Sequence, residues 1–424
     1  MWSTNHEDYS SYKVRLFPTK EQEKIFYQYF GACRFVYNLG IDIEEQQYQD
    51  YLDGKTETRR LKKIGLNNLF TQLKNNVDKY KWLKQFDATT LKLVLFDLDH
   101  AYEMFLSNTN KNERPKYKSR IYSKKQFPVR SERLYLTETH ARIPSIGFVK
   151  YCNSYGDQII GSGHEASPNR VHFYNSRVVY DGINFYLVFS IPKDREHNVN
   201  SYFNYASNAQ WKLQESSEAI GIDVGLKRDK WLVDSTGEIV VRPDSSKLLK
   251  KANRLNRKLQ RQRIINKSKN RSFYDQHPEG SNNMQKTKVE INKCFKKISN
   301  VRKNSVYEYT NLLLEKKPKA VVMESISVSK FVIHSNKDKE YKNRMNSLIT
   351  DASLYETMHI IEDKMISNGI PVIRAESDYP SSQLCSCCGY RQDIGRKKIY
   401  KCPNCGTSIN RDLNAAINLA KLAY

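Results

Sequence analysis

No stretch of the 424-residue sequence approaches the run of about 20 apolar residues that a membrane-spanning helix needs, which predicts a soluble chain with no membrane partner. The N-terminus, Met1-Trp-Ser-Thr-Asn-His-Glu-Asp8, lacks the basic-then-apolar pattern of a secretion signal, so the expected location is the cytoplasm. There are eight cysteines, and four of them (Cys33, Cys152, Cys294, Cys387) have no spacing that suggests a disulfide framework. No helix-turn-helix is legible. Acids are scarce: 46 Asp and Glu stand against 70 Lys and Arg, a net charge of +24. Such an excess points to a polyanionic partner, most simply nucleic acid. An AT-rich genome would raise lysine broadly, but here the charge is clustered. Residues 247–303 hold 18 Lys or Arg and three acids, Asp275, Glu279 and Glu290.

The most specific pattern lies near the C-terminus. Cys385-Ser-Cys-Cys388-Gly389 is followed by Cys402-Pro-Asn-Cys405-Gly406. Two such turns present four thiolates, which suit a tetrahedral Zn²⁺ and leave no open position for catalysis. Gly389 and Gly406 each follow a second ligand, where a chain wrapping a metal often needs positive φ. Cys387 has neither the spacing nor the trailing glycine and is read as a bystander. The competing reading is a redox or disulfide pair, against which stands the lack of any sign of an oxidising compartment.

Along the chain, Tyr12–Phe17 reads as a strand ended by Pro18, and Thr19 with Gln22 as a capping box. Phe26, Phe30, Cys33 and Tyr37 recur at helical spacing, as do Leu91, Leu95, Leu98, Tyr102 and Phe105. A helical module is therefore predicted over 19–120, including the basic loop Asn112–Arg120. Period-two segments then follow, with a hairpin turn at Asp181-Gly182. Residues 121–195, joined by 1–18, are predicted to form a small β-barrel, and 196–218 a linker. From Ala219 the pattern becomes α/β: strands at 219–225, 230–233, 238–241, 320–324 and 371–374. Two long basic helices surround a turn near Pro278–Asn283, and a further helix is expected over 346–368. Three hairpin-connected strands at the start of such a domain suggest the ribonuclease-H-like fold. The predicted class is multidomain α+β, with the α/β domain over 219–378 and 407–424 and a zinc ribbon inserted at 379–406.

Asp223 sits in the first of these strands, Glu324 ends the fourth, and Asp412 opens the last helix. An acid in an apolar strand is costly unless paired or bound to metal. In the ribonuclease-H-like fold, adjacent central strands and the last helix bring such acids together. Hard oxygen ligands suit Mg²⁺ or Mn²⁺, and two such ions about 4 Å apart support in-line phosphodiester hydrolysis.

Gly221-Ile-Asp-Val-Gly225, Val321-Val-Met-Glu324 and Asn410-Arg-Asp-Leu-Asn-Ala-Ala416 resemble the three RuvC motifs of the TnpB proteins of small insertion sequences. Tyr379–Gly389 resembles that family's zinc segment, and Val14–Pro18, Cys33–Asn38 and Arg114–Lys118 fit the same family. Miniature type V CRISPR effectors share this layout. The resemblance implies an RNA-guided DNA endonuclease, with a guide RNA and target double-stranded DNA as partners, working near the prokaryotic nucleoid. It implies Asp223, Glu324 and Asp412 as catalytic Mg²⁺ or Mn²⁺ ligands, and Cys385, Cys388, Cys402 and Cys405 as zinc ligands. The β-barrel would be wedge-like and the helical module a recognition module. Ser325 and Asn410 depart from the family pattern, where acids are common. A cleavage-inactive guided repressor would be expected to lose a carboxylate, and a strand-transfer transposase would usually carry a separate end-binding domain. Monomer and dimer are both compatible with the sequence.

Overall fold

A computed structural model describes residues 9–107, 113–192, 218–269, 280–325, 346, 348–376, 378–395 and 397–424. The predicted linker, apart from Glu218, and the part of the Pro278–Asn283 turn before Gly280 lie outside the described residues. No helix among the described residues is long and apolar enough to cross a membrane. The chain divides into two compact units: Met1–Asp194 with Asn256–Asn292, and Arg195–Leu255 with Lys293–Tyr424.

The first unit opens with β1 (Tyr9–Phe17), followed by α1 (Lys20–Leu52), α2 (Lys62–Asn76) and α3 (Ala88–Leu106). The capping box at the start of α1 is formed: Gln22 N donates to Thr19 Oγ1 at 3.3 Å and Thr19 N to Gln22 Oε1 at 3.0 Å. Phe26, Phe30, Cys33 and Tyr37 are buried along this helix, as are Leu91, Leu95, Leu98 and Tyr102 along α3, while Phe105 is exposed. Seven further strands follow: β2 (Lys125–Pro128), β3 (Tyr135–Leu136), β4 (His140–Ile143), β5 (Gly147–Cys152), β6 (Gly161–Ser162), β7 (Tyr174–Tyr180) and β8 (Phe185–Pro192). As predicted, the first strand returns to join them, pairing with β8 from Tyr9↔Pro192 to Leu16↔Phe185 and with β5 on its other side.

The barrel expectation is corrected. The strands form one eight-stranded sheet in the order β2-β7-β8-β1-β5-β4-β3-β6, and among the described residues no pairing joins β2 to β6. Closure needs staggered strands long enough to continue the ladder. At one edge β3 and β6 have two residues each, and at the other β2 has four. The Arg114–Lys118 motif is docked on α1: the Asn38 side chain accepts from Lys118 N at 2.7 Å and donates to Lys118 O at 3.1 Å.

The second unit contains β9 (Ile220–Val224), β10 (Leu232–Asp234) and β11 (Ile239–Val240), then β12 (Val321–Glu324) and β13 (Val372–Ala375). The sheet order is β11-β10-β9-β12-β13, with the first three strands antiparallel and β9, β12 and β13 parallel. Between β11 and β12 run α4 (Ser246–Lys269) and α5 (Asn282–Glu315), the two basic helices predicted from the sequence; α6 (Leu354–Ser367) precedes β13. The helix expected over 346–368 is interrupted at Ser353, which adopts φ 46°. Two distant residues hold that break: Trp231 Nε1 donates to Ala352 O at 3.0 Å and Arg302 Nη1 to Asp351 O at 2.5 Å.

The chain ends with the hairpin β14 (Ile399–Lys401) and β15 (Ser408–Asn410), then α7 (Arg411–Ala420). Strand alternation separates two cores. Ile220, Ile222, Val224, Val321 and Met323 face one side, with residues of α5 and α6; Ala219, Ala320 and Val322 face the other, with Leu419.

Candidate active site and metal centre

The period of two dictates where the acids emerge. Gly221 lies against α7: a Cβ there would meet Ala416 O at 2.0 Å and Ala420 N at 2.4 Å. Asp223, two residues on, falls on the same face. Beside it the parallel register pairs Ile222 with Met323, so Glu324 continues the row occupied by Asp223, on the face of Val322. Asp412 stands in the first turn of α7. The helix start is set by Asn410, whose Oδ1 accepts from Asp412 N at 3.0 Å and Leu413 N at 3.4 Å. Asparagine is as good an N-cap as aspartate, so the departure at this position preserves the local structure.

Glu324 and Asp412 both act on Asp223. Burial first, then the charges of Glu324 and Asp412, push the Asp223 carboxyl up to about 8; Arg411 and Lys230 oppose this. Lys230 Nζ donates to Asp412 Oδ2 at 3.1 Å. Glu324 is held at both ends: Ser381 Oγ donates to its Oε1 at 2.6 Å, and Arg374 Nη1 to its backbone O at 3.2 Å. Arg374 is anchored in turn by Glu362 at 2.8 Å. An acid whose proton affinity is raised by two neighbouring acids marks a site short of positive charge, and the hard oxygens there could hold a divalent ion. Sequence reasoning missed Lys230, Arg374 and Ser381. Ser381 lies inside the Tyr379–Gly389 motif, but no spacing rule links it to Glu324.

The four predicted zinc ligands come together. The sulfur atoms of Cys385, Cys388, Cys402 and Cys405 all lie within 4.8 Å of one another. The Cys385–Cys405 and Cys388–Cys402 separations are 3.6 and 3.5 Å. Thiolates about 2.3 Å from one tetrahedral ion stand about 3.8 Å apart, so the set fits zinc. Cys387 is exposed and outside the cluster. Each knuckle closes with a backbone hydrogen bond, Gly389 N to Cys385 O at 2.9 Å and Gly406 N to Cys402 O at 3.1 Å. Both glycines have φ 74°, the left-handed conformation expected after the second ligand. A hydrogen bond from the Thr407 hydroxyl, helped by its backbone, draws the Cys405 thiol down to about 6, favouring the ligating thiolate.

Comparison with known proteins follows the same lines. Residues 355–419 match the family described as Cas12f1-like, TNB domain, and residues 9–52 match one described as a helix-turn-helix domain. In this chain residues 9–52 form β1 and α1, so that family match falls on a segment where no helix-turn-helix is legible in the sequence. The chain is 24% identical to the putative RNA-guided DNA endonuclease InsQ of Escherichia coli (strain K12), over 96% of this chain and 91% of that protein. It is 22% identical to the TnpB-like protein L770 of Acanthamoeba polyphaga mimivirus, over 97% of this chain and 73% of that one. Among solved structures, the cryo-EM structure of a Cas12f1-sgRNA-target DNA complex aligns at 16% identity over 97% of this chain and 99% of that chain, with a TM-score of 0.29. The motif order in the sequence, the two family matches and these relatives agree in what the chain is similar to: TnpB-like proteins and proteins named putative RNA-guided DNA endonucleases.

Proposed function

We propose that the chain is an RNA-guided DNA endonuclease of the TnpB type, associated with a transposable element, that hydrolyses phosphodiester bonds of target DNA at Asp223, Glu324 and Asp412. The reading is carried by one observation: Asp223 and the strand end bearing Glu324 lie on adjacent parallel strands, and the helix that opens with Asp412 packs on the same face at Gly221. Supporting it are the printed names of the relatives and the charge of +24.

In this reading the three carboxylates hold Mg²⁺ or Mn²⁺, which supplies Lewis-acid stabilisation and an activated water when bound. The protein's own part is orientation. The sheet fixes Asp223 and Glu324 side by side, and the capped start of α7 brings Asp412 to them. Lys230 and Arg411 place positive charge beside the acids, where a phosphate oxygen would approach. Cys385, Cys388, Cys402 and Cys405 hold a structural zinc. The domain assignment belongs to the same proposal: 1–18 with 121–195 as a wedge-like sheet domain, 19–120 as a recognition module, 219–378 with 407–424 as a RuvC-like nuclease domain and 379–406 as the zinc ribbon. The partners are a guide RNA and target double-stranded DNA, the protein recognising the heteroduplex through its backbone and shape.

The test is Asp223→Ala in a plasmid-cleavage assay with co-purified RNA. Cutting is expected to fall below detection while RNA-dependent DNA binding stays within about twofold. Undiminished cutting would remove the carboxylate assignment, and binding without cutting in the unaltered chain would identify a guided repressor.

A further inference from the structure

We infer that Ser381 is a positioning residue for the catalytic divalent ion, and that through it the zinc-bearing segment is tied mechanically to the carboxylate site. The inference rests on the reading of Glu324 as a ligand to that ion.

Glu324 ends β12, so its backbone is fixed by the sheet and by Arg374. Its side chain still has three torsions, and a loose carboxylate must lose that freedom when an ion binds. Ser381 removes the freedom beforehand. Its hydroxyl donates to Oε1 at 2.6 Å, the short distance typical of a hydrogen bond to a charged oxygen. The serine is 3% exposed, so water does not compete for that proton. This bond engages only one of the two carboxylate oxygens.

Ser381 is held by α7, the helix that begins with Asp412. Asn418 Nδ2 donates to Ser381 O at 2.8 Å and to Leu384 O at 2.7 Å. Asn414 Nδ2 donates to Leu384 O at 2.6 Å, while its Oδ1 accepts from Ser386 N at 2.8 Å. Both asparagines are buried, and Cys385, the first zinc ligand, lies between the residues they grip. The strap 381–386 therefore touches two of the three carboxylate carriers: Glu324 directly, and Asp412 through its helix. Hard-ion sites depend on ligands held within a few tenths of an ångström by such supporting bonds.

The experiment titrates the full-length, zinc-loaded chain with Mn²⁺, following free Mn²⁺ by electron paramagnetic resonance, with zinc content measured in parallel. Ser381→Ala is expected to raise the Mn²⁺ Kd about tenfold with zinc content unchanged. The Mg²⁺ concentration for half-maximal cleavage should rise equally, and the rate at saturating Mg²⁺ should approach that of the unaltered chain. Ser381→Thr, which retains the hydroxyl, should restore tight binding, and Ser382→Ala should change nothing. A merely structural serine would lower the melting temperature and zinc content of Ser381→Ala without moving the Kd. Unchanged Mn²⁺ affinity in folded, zinc-loaded Ser381→Ala overturns the inference, as does a Thr variant as weak as the Ala variant. If Ser381→Ala does not fold, Ser381→Cys, of similar size but a much weaker donor, carries the same measurement. Asp223→Ala is the reference: normal Mn²⁺ binding there defeats the carboxylate reading itself, whereas loss there with no change at Ser381 defeats only the positioning role.

Discussion

At Asp223 an acid in an apolar strand meets two further acids, and the consequence is a proton held well above the ordinary carboxyl range, to about 8. Between roughly pH 4 and pH 8 the folded chain keeps a proton that the unfolded chain releases. Stability therefore falls as pH rises through that window, because the unfolded state binds fewer protons. Asp223→Asn mimics the protonated form at every pH. Without added divalent ions, the variant should match the unaltered chain near pH 4 and exceed it by on the order of a few kcal/mol above pH 8. Urea midpoints at several pH values read this directly, and parallel curves for the two proteins would contradict it. With Mn²⁺ present the order should reverse, since Asn is the poorer ligand. Asp223 and Glu324 were legible because each stands in an apolar strand, and Asp412 because it opens the helix that follows the second cysteine pair. Lys230, Arg374 and Ser381 were not, because a partly buried lysine, a strand arginine and a loop serine break no pattern at all.

Among the elements, α7 against β9 decides whether the acids meet. Contact between helix and strand is close because Gly221 has no side chain, and the atoms a Cβ would strike are the helix's own backbone, at 2.0 and 2.4 Å. Neither can swing aside as a flexible side chain would. Gly221→Ala should force α7 off the sheet at a cost of about 3 kcal/mol. It should also carry Asp412 away from Asp223, so cleavage should fall by more than the loss of folded protein explains. Calorimetry beside the cleavage assay separates the two effects; an unchanged melt would mean that the helix does not sit where it is described. Local chemistry made several elements readable beforehand. The Thr19–Gln22 capping box, the Asp181-Gly182 turn and the knuckle glycines each follow from neighbouring residues alone. The break at Ser353 was unreadable, because Trp231 and Arg302, far away in sequence, bind the carbonyls it frees. The open sheet was unreadable for a related reason: alternation shows which face of a strand is buried, not whether the edge strands are long enough to pair.

For the whole molecule, the +24 charge and its concentration over 247–303 set the response to salt. Neutralising phosphates releases counterions, so affinity for RNA and for guided DNA should fall steeply and linearly on a log–log plot between 50 and 300 mM salt, with a slope of about −5 or steeper. A slope near zero would assign the charge to composition alone. The sequence by itself determined the order of segments, the apolar stripes, the four thiolates and the identity of the three acids. These depend on periodicity, spacing and residue chemistry, all of which are local. Tertiary structure alone decided that the eight-stranded sheet stays open, that Asp223, Glu324 and Asp412 share one face, and that a serine from the zinc-bearing strap grips one of them. Each of those outcomes requires segments up to hundreds of residues apart to settle at particular distances. Such distances are set by register and by close packing at positions such as Gly221, not by any property of one stretch of chain.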